Sequence, residues 1–168
     1  MNTVVAVSGA LAAFAALLVA IITYKQLKHS RFALGADLIL RLEASFFEAV
    51  EMKADRSRAA SALKRGSDAG ELEPVLDFFE TVGLLVRREV VDKELAWNSF
   101  SYWVLRYAAL AGNQIKVRRK KEHDPTYYQE FDFLVECLTQ VEIEKRHLKS
   151  RPSFSKELLD GFLGEEIG

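Results

Sequence analysis

Residues 3–24 read TVVAVSGALAAFAALLVAIITY, and no Asp, Glu, Lys or Arg occurs before Lys25. A helix of about 20 apolar residues, rising about 1.5 Å per residue, is long enough to cross the hydrocarbon core of a bilayer. The stretch therefore predicts a transmembrane helix. A cleaved secretory signal is the competing interpretation, but such signals begin with positive charge and have a shorter apolar run.

The first cations of the chain follow this apolar stretch directly, at Lys25, Lys28 and Arg31. Because Lys and Arg beside a span are retained on the cytoplasmic side, we expect the N-terminus outside and the rest of the chain in the cytoplasm. The same three side chains are expected to contact lipid headgroups. The single cysteine, Cys137, cannot form an internal disulfide, which agrees weakly with a reducing compartment.

Small residues recur through the apolar stretch at spacings that allow two helices to pack closely. Self-association through this face is one hypothesis, and its residues are Ala6, Gly9, Ala10, Ala13, Ala16 and Ala20.

Gly and Pro are sparse, with 9 Gly and 3 Pro in the whole chain of 168 residues, and the composition after the apolar stretch is typical of helices. The formal net charge of -1 argues against a nucleic-acid-binding protein, which usually carries a strongly basic face. We predict an all-α protein: an N-terminal transmembrane helix followed by an antiparallel bundle of about four helices. The expected parts are an anchor with its basic flank (1–31), a cytoplasmic helical domain (32–150) and a weakly structured amphipathic tail (151–168).

Periodicity and capping residues place the individual helices. One long amphipathic helix is expected over 32–64, and Gly35 is the only candidate hinge between it and the anchor, because nothing between Lys25 and Gly35 is a strong helix breaker. A Gly-rich loop precedes Pro74, which opens a short apolar helix to about residue 88. Asp92 is predicted to cap a helix over 93–120, and Asp124 with Pro125 to open a helix reaching about residue 149.

Two carboxylates, Asp77 and Glu80, are spaced to share a face of the short apolar helix. General acid and base catalysis would need such a pair. An ordinary surface pair, or an ion pair with Arg87 or Arg106, is the favoured interpretation, because no further positioned polar groups accompany them.

The remaining patterns indicate no chemistry. Five aromatic residues at helical spacing favour a packed core over a stacking platform: Trp97, Phe100, Tyr102, Trp103 and Tyr107. The histidines His29, His123 and His147 have no metal-ligand spacing, and nucleotide-binding motifs do not occur. We therefore assign no catalytic residue, cofactor or metal ligand from the sequence.

A basic run ends the central predicted helix, at Lys116, Arg118, Arg119, Lys120 and Lys121. In a membrane-tethered domain these cations could contact anionic lipid. A solvated helix end, favoured by the helix macrodipole, is an equally good interpretation.

The stretch LDFFETVGLLVRREVVDKELAWNSFSYWVLRY, residues 76–107, resembles a family of small bacterial proteins of unknown function. Members look like a single span, a long helix, a DFFExxGxLV segment and an aromatic-rich helix. The resemblance implies a bacterial inner-membrane protein and supplies no activity. Its candidate functional surface comprises Asp77, Glu80, Arg87, Trp97 and Arg106.

From these patterns we expect a non-enzymatic role, in which the helical domain binds a partner protein or a second copy of itself beside the lipid bilayer. The alternative is a small-ligand-binding or hydrolytic domain that uses Asp77 and Glu80 in a cavity between helices.

Overall fold

The computed structural model describes the backbone of residues 2–67 and 70–168, and the side chains of residues 17–26, 30, 32–67 and 70–168. The described chain is all-α and forms a helical bundle without strands. A single 3-10 turn, Gly70–Leu72, leads into the third helix. The helices are α1 (Asn2–Phe47), α2 (Val50–Arg65), α3 (Glu73–Arg87), α4 (Lys93–Lys121), α5 (Gln129–Arg146) and α6 (Lys156–Ile167).

Helix α1 is continuous from Asn2 to Phe47, so the apolar stretch and the first part of the predicted domain share one helix. Gly35, the predicted hinge, lies buried inside it and serves packing instead. A Cβ atom added there would lie 2.7 Å from the carbonyl oxygen of Val90, closer than such contacts occur. The missing side chain therefore lets the turn between α3 and α4 approach α1.

The predicted single helix over 32–64 is wrong, because α1 ends at Phe47 and α2 begins at Val50. Ala49 between them is extended, with φ -63° and ψ 127°. The carbonyl oxygen of Phe46, near the end of α1, accepts a hydrogen bond from Arg56 Nη1 at 3.2 Å. Satisfying a terminal carbonyl in this way stabilises the break.

The transmembrane prediction falls largely outside the described side chains, because it covers residues 3–24 and description begins at residue 17. Within the described part of the chain, no helix combines the length and the apolar character needed to span a bilayer.

Helices α4 and α5 pack antiparallel along one seam. Glu94, near the start of α4, pairs with Lys145 near the end of α5, and Arg119 near the end of α4 pairs with Asp132. Asp92 caps α4 as predicted, since its carboxylate accepts the backbone N–H groups of Glu94 and Leu95.

The predicted start of the next helix at Asp124 is wrong by about one turn, because α5 begins at Gln129. Asp124 caps only a local turn and accepts hydrogen bonds from the N–H and hydroxyl of Thr126. Tyr128, with a left-handed φ of 60°, then redirects the chain into α5.

The region 151–168 was predicted to be weakly structured, but its second part forms helix α6, capped by Ser155. Phe162 and Leu163 are buried in the core, and the Phe162 ring packs against Tyr102 and Tyr107 of α4, while α6 as a whole packs mainly on α2. The two glycines that suggested weakness, Gly161 and Gly164, lie where an added Cβ atom would touch nothing. Tertiary packing thus outweighs their poor helix propensity.

Candidate functional site

The DFFExxGxLV segment lies on α3 and faces the start of α5. The carboxylate of Glu80 accepts a hydrogen bond from the backbone N–H of Phe131 at 2.6 Å. The first N–H groups of a helix have no partner within the helix, and a capping side chain normally satisfies one of them. Tyr128 precedes α5 and makes no side-chain capping bond, so Glu80 supplies the cap from another helix.

Two more positions of the segment fix the same contact between α3 and α5. Gly83 is buried, and a Cβ atom added to it would lie 2.1 Å from the carbonyl oxygen of Glu130. Arg87 forms an ion pair with the Glu130 carboxylate, and its guanidinium carbon lies 4.1 Å from the ring centre of Phe133. The segment is therefore a docking motif through which α3 holds the first turn of α5.

Both carboxyl groups of the segment, Asp77 and Glu80, have a raised pKa. Desolvation raises the pKa of Glu80, opposed by the N–H groups of Phe131 and Glu130 that hydrogen-bond its charged form. Desolvation also raises the pKa of Asp77, opposed in part by the nearby Tyr128 hydroxyl. A raised carboxyl pKa suits a general acid, but neither group lines any of the four cavities found in the described part of the chain.

Trp97 and Arg106, the other two candidates, lie elsewhere. Trp97 Nε1 donates to a carboxylate oxygen of Glu142 on α5 at 2.7 Å. Arg106 stacks over the Tyr102 ring, with its guanidinium carbon 3.6 Å from the ring centre, and donates to the Tyr102 carbonyl oxygen. The contacts described for Glu80, Arg87, Trp97 and Arg106 thus fall into three separate groups within the bundle.

A buried polar cluster that we did not predict surrounds Glu166 of α6. Its carboxylate accepts hydrogen bonds from Arg56 at 2.5 and 2.9 Å, from Trp103 Nε1 at 3.1 Å and from the Tyr107 hydroxyl at 2.9 Å. The side chains of Arg56 and Glu166 are 14% and 4% exposed. Burial and the neighbouring Glu166 raise the pKa of Tyr107, so its hydroxyl remains a donor. The cluster joins α2, α4 and α6.

The sequence does contain a signal for this cluster. Glu166 follows Phe162 and Leu163 at helical spacing, and Arg56 follows Met52 in the same way, so each charge lies on the apolar stripe of its helix. A charged residue in register with an apolar stripe is almost never fully buried unless it is paired.

The predicted lipid-contacting cations differ in their surroundings. Lys25 is exposed, whereas the side chains of Lys28 and Arg31 lie outside the described residues. In the basic run, Arg118 pairs with Glu73 and Arg119 with Asp132. The three lysines of the run are exposed: Lys116, Lys120 and Lys121.

The largest of the four cavities, about 540 Å³, lies where α1 passes the turn between α3 and α4. Aromatic walls from Tyr24, Phe32 and Phe133 surround it, and Cys137 lines it. Desolvation raises the pKa of the Cys137 thiol, which makes this thiol a poor nucleophile. Among the described residues, no group of three potential ligands is placed to hold a metal ion.

Comparison with known proteins gives one assignment. Residues 6–137 match the family described as a domain of unknown function, DUF4760. Searches of curated proteins and of solved structures return no significant match. Because the matched region covers more than half of the chain and includes the α3 docking motif, this all-α protein belongs to the DUF4760 family.

Proposed function

We propose that this protein is a membrane-anchored helical module, in which α1 attaches the bundle to the bacterial inner membrane and the bundle binds a partner protein or a second copy in the cytoplasm. The observation that carries the proposal is the exposure of α1. Every described side chain from residue 17 to residue 26 is exposed. Among them, Leu17, Val19 and Ile22 are 58%, 62% and 54% exposed.

An exposed row of apolar side chains as long as this one usually marks a surface that contacts a membrane or another protein. Lipid is the cover that fits the sequence, because the apolar stretch extends back to residue 3 without a charge and ends at exposed Lys25. The 46 residues of α1 correspond to about 69 Å of helix at 1.5 Å per residue. Among the described side chains of α1, burial against the bundle begins at Gly35, and the exposed positions 17–24 that precede it belong to the part of α1 proposed to enter the membrane.

The proposed binding role of the bundle is argued from the contacts of its polar residues. Glu80, Arg87 and Trp97, which the sequence singled out, all make contacts within the bundle. This supports a scaffold for recognition over a catalytic centre. The alternative, hydrolysis or ligand binding through Asp77 and Glu80, gains no support, since neither carboxylate lines a described cavity.

Membrane fractionation of charge variants tests the anchor. Leu11→Lys with Phe14→Lys places two charges near the middle of the apolar stretch, at about 2.5 to 3.5 kcal/mol each. We expect this variant to move from the membrane to the soluble fraction. The matched control is Leu34→Lys with Leu40→Lys, which adds the same charges at positions of α1 that are 67% and 63% exposed beyond Lys25. Equal fractionation of both variants would refute the anchor.

Reporter fusions test the orientation. A fluorescent protein fused at the C-terminus should be fluorescent, and alkaline phosphatase at the same place should be inactive, because the bundle is proposed to lie in the cytoplasm. The opposite pair of results would contradict this orientation.

Purification of the tagged full-length chain from native membranes in mild detergent tests the binding role. A stoichiometric protein partner, or a stable homo-oligomer by mass, is the expected product. Recovery of the monomer alone would count against the binding role without affecting the anchor.

A further inference from the structure

A groove runs along the seam between α4 and α5. Two cavities of about 260 and 440 Å³ lie end to end in this seam and share Ala108 and Arg151 as lining residues. Pockets for small organic ligands commonly measure about 300 to 1,000 Å³. We name the combined feature the α4–α5 groove.

Small residues of α4 form the floor of the groove. Ala108 and Ala109 line it together with Gly112, and a Cβ atom added to Gly112 would meet nothing within 4 Å. Packed interiors rarely leave such space beside a central helix. The α4–α5 groove is therefore room for a ligand that needs no rearrangement of either helix.

Thr139 of α5 is the second, independent observation. Its side chain lines the groove and it is 2% exposed, yet its hydroxyl has no hydrogen-bond partner in the described part of the chain. A buried hydroxyl without a partner costs about 1 to 3 kcal/mol. The hydroxyl oxygen itself has almost no accessible surface, so a ligand oxygen would accept its hydrogen bond, and remove this cost, once the Thr139 side chain turns toward the groove.

The charged residues that line the groove indicate whether a ligand there would be anionic or cationic. Arg119 is occupied by Asp132, and Glu136 accepts a hydrogen bond from Gln140. Two further cations line the groove, Lys116 and Arg151, and neither makes an ion pair in the described part of the chain. The Gln140 amide is neutral, so the lining holds three cations against the carboxylates of Asp132 and Glu136, a net charge of +1 that favours a ligand with a single anionic group.

We propose that the α4–α5 groove binds an organic anion. Its apolar body lies over Ala108 and Gly112, and its carboxylate or phosphate oxygens accept hydrogen bonds from Thr139 and Arg151. Seen along α4, the groove extends from Leu105 to Arg119, roughly 20 Å at 1.5 Å per residue, which suits an elongated molecule. This site is separate from the anchor and does not depend on it.

Calorimetric titration of the full-length chain in nanodiscs of zwitterionic lipid tests the site, with empty nanodiscs as the background. The probes are hexanoate, hexyl phosphate, neutral hexanol and inorganic phosphate. We expect one equivalent of hexanoate or hexyl phosphate to bind saturably, with at least tenfold weaker binding of hexanol and of inorganic phosphate. The stronger of the two amphiphiles identifies the headgroup.

Variants locate the binding. Gly112→Leu places a large side chain in the groove and should abolish binding, whereas Gly112→Ala, whose Cβ atom would meet nothing within 4 Å, should retain it. Thr139→Val keeps the shape of the side chain but removes its hydroxyl, and it should weaken binding at least tenfold, while Thr139→Ser restores it. If Gly112→Leu fails to fold, the Thr139 pair decides alone.

Three results would overturn the proposal. The first is the absence of saturable binding of both anionic probes at millimolar concentration. The second is unchanged affinity in Thr139→Val. The third is equal affinity for inorganic phosphate and hexyl phosphate, which would exclude an apolar body in the groove.

Discussion

The carboxylate of Glu80 on α3 lies 2.6 Å from the backbone nitrogen of Phe131, in the first turn of α5. It does the work of an N-cap from a different helix. Replacing Glu80 with Ala should therefore cost about 1 to 2 kcal/mol of unfolding free energy, as the loss of a local cap does. Glu80→Gln keeps an acceptor oxygen and should cost less than half as much. Chemical denaturation followed by circular dichroism measures both, and equal losses would contradict the capping role.

The raised pKa of Glu80 predicts the direction of a pH effect. Since the folded pKa lies above the ordinary value of 4.5, the protonation-dependent part of this carboxyl's contribution to stability is complete below pH 4.5 and is lost as the pH rises through the folded pKa, while the capping hydrogen bond remains. The unfolding free energy of the wild type should thus fall relative to Glu80→Gln on raising the pH through this window.

Glu157 provides the control for that pH effect, because hydrogen bonds lower its pKa from the same ordinary value of 4.5. Its contribution is present above pH 4.5 and is lost as the pH falls through the folded pKa. Glu157→Gln should therefore show the opposite dependence relative to the wild type. Parallel curves for the two variants would contradict both assignments.

Gly83→Ala should destabilise the bundle, because its Cβ atom would lie 2.1 Å from the backbone carbonyl oxygen of Glu130. Overpacking of this kind costs about 1 to 3 kcal/mol, and a backbone neighbour cannot rotate away. Gly161→Ala is the matched control, since a Cβ atom there touches nothing. Alanine's better helix propensity should make that variant more stable by up to about 1 kcal/mol. A neutral Gly83→Ala variant would show that α3 and α5 are not held at this distance.

Removing Glu166 should be severe, because Arg56 would remain buried without its partner. A broken buried ion pair typically costs about 3 to 5 kcal/mol. Glu166→Ala should therefore lower the melting temperature far more than Glu165→Ala, whose exposed carboxylate accepts only the Tyr102 hydroxyl in the described contacts. The double variant Arg56→Met with Glu166→Leu should regain most of the loss. A double variant as unstable as the sum of the single variants would argue against a coupled pair.

Local patterns predicted the class of the fold and much of its order. Composition and apolar periodicity indicated helices, and Asp92 correctly marked the start of α4, because capping depends only on neighbouring residues. Asp124 led to a wrong helix start for the same reason: it caps a local turn. Arg119 donates a hydrogen bond to the Tyr127 carbonyl oxygen just after that turn. A side-chain contact across eight residues, outside the capping pattern, thus accompanies the later start of α5.

The contacts that hold the bundle together were harder to predict. An apolar stripe continues through Glu48 and Ala49, so the break between α1 and α2 left no mark in the periodicity. Glu80 and Gly83 were visible as a motif, but their roles depend on a helix that begins 49 residues after Glu80, at Gln129. Nothing in the sequence distinguishes Thr139 from other polar residues, because its role depends on the groove beside it.

The pairing of Arg56 with Glu166 joins residues 110 positions apart in the chain. At a synthesis rate of about 5 to 20 residues per second, Arg56 leaves the ribosome roughly 5 to 20 s before its partner is made. During that interval the guanidinium lacks its carboxylate partner and can contact only water and groups already made, such as the carbonyl oxygen and ring of Phe46. The bundle can therefore close correctly only late in the synthesis of the chain. Until α6 has been made, the faces of Tyr102 and Tyr107 that pack against Phe162 stay uncovered.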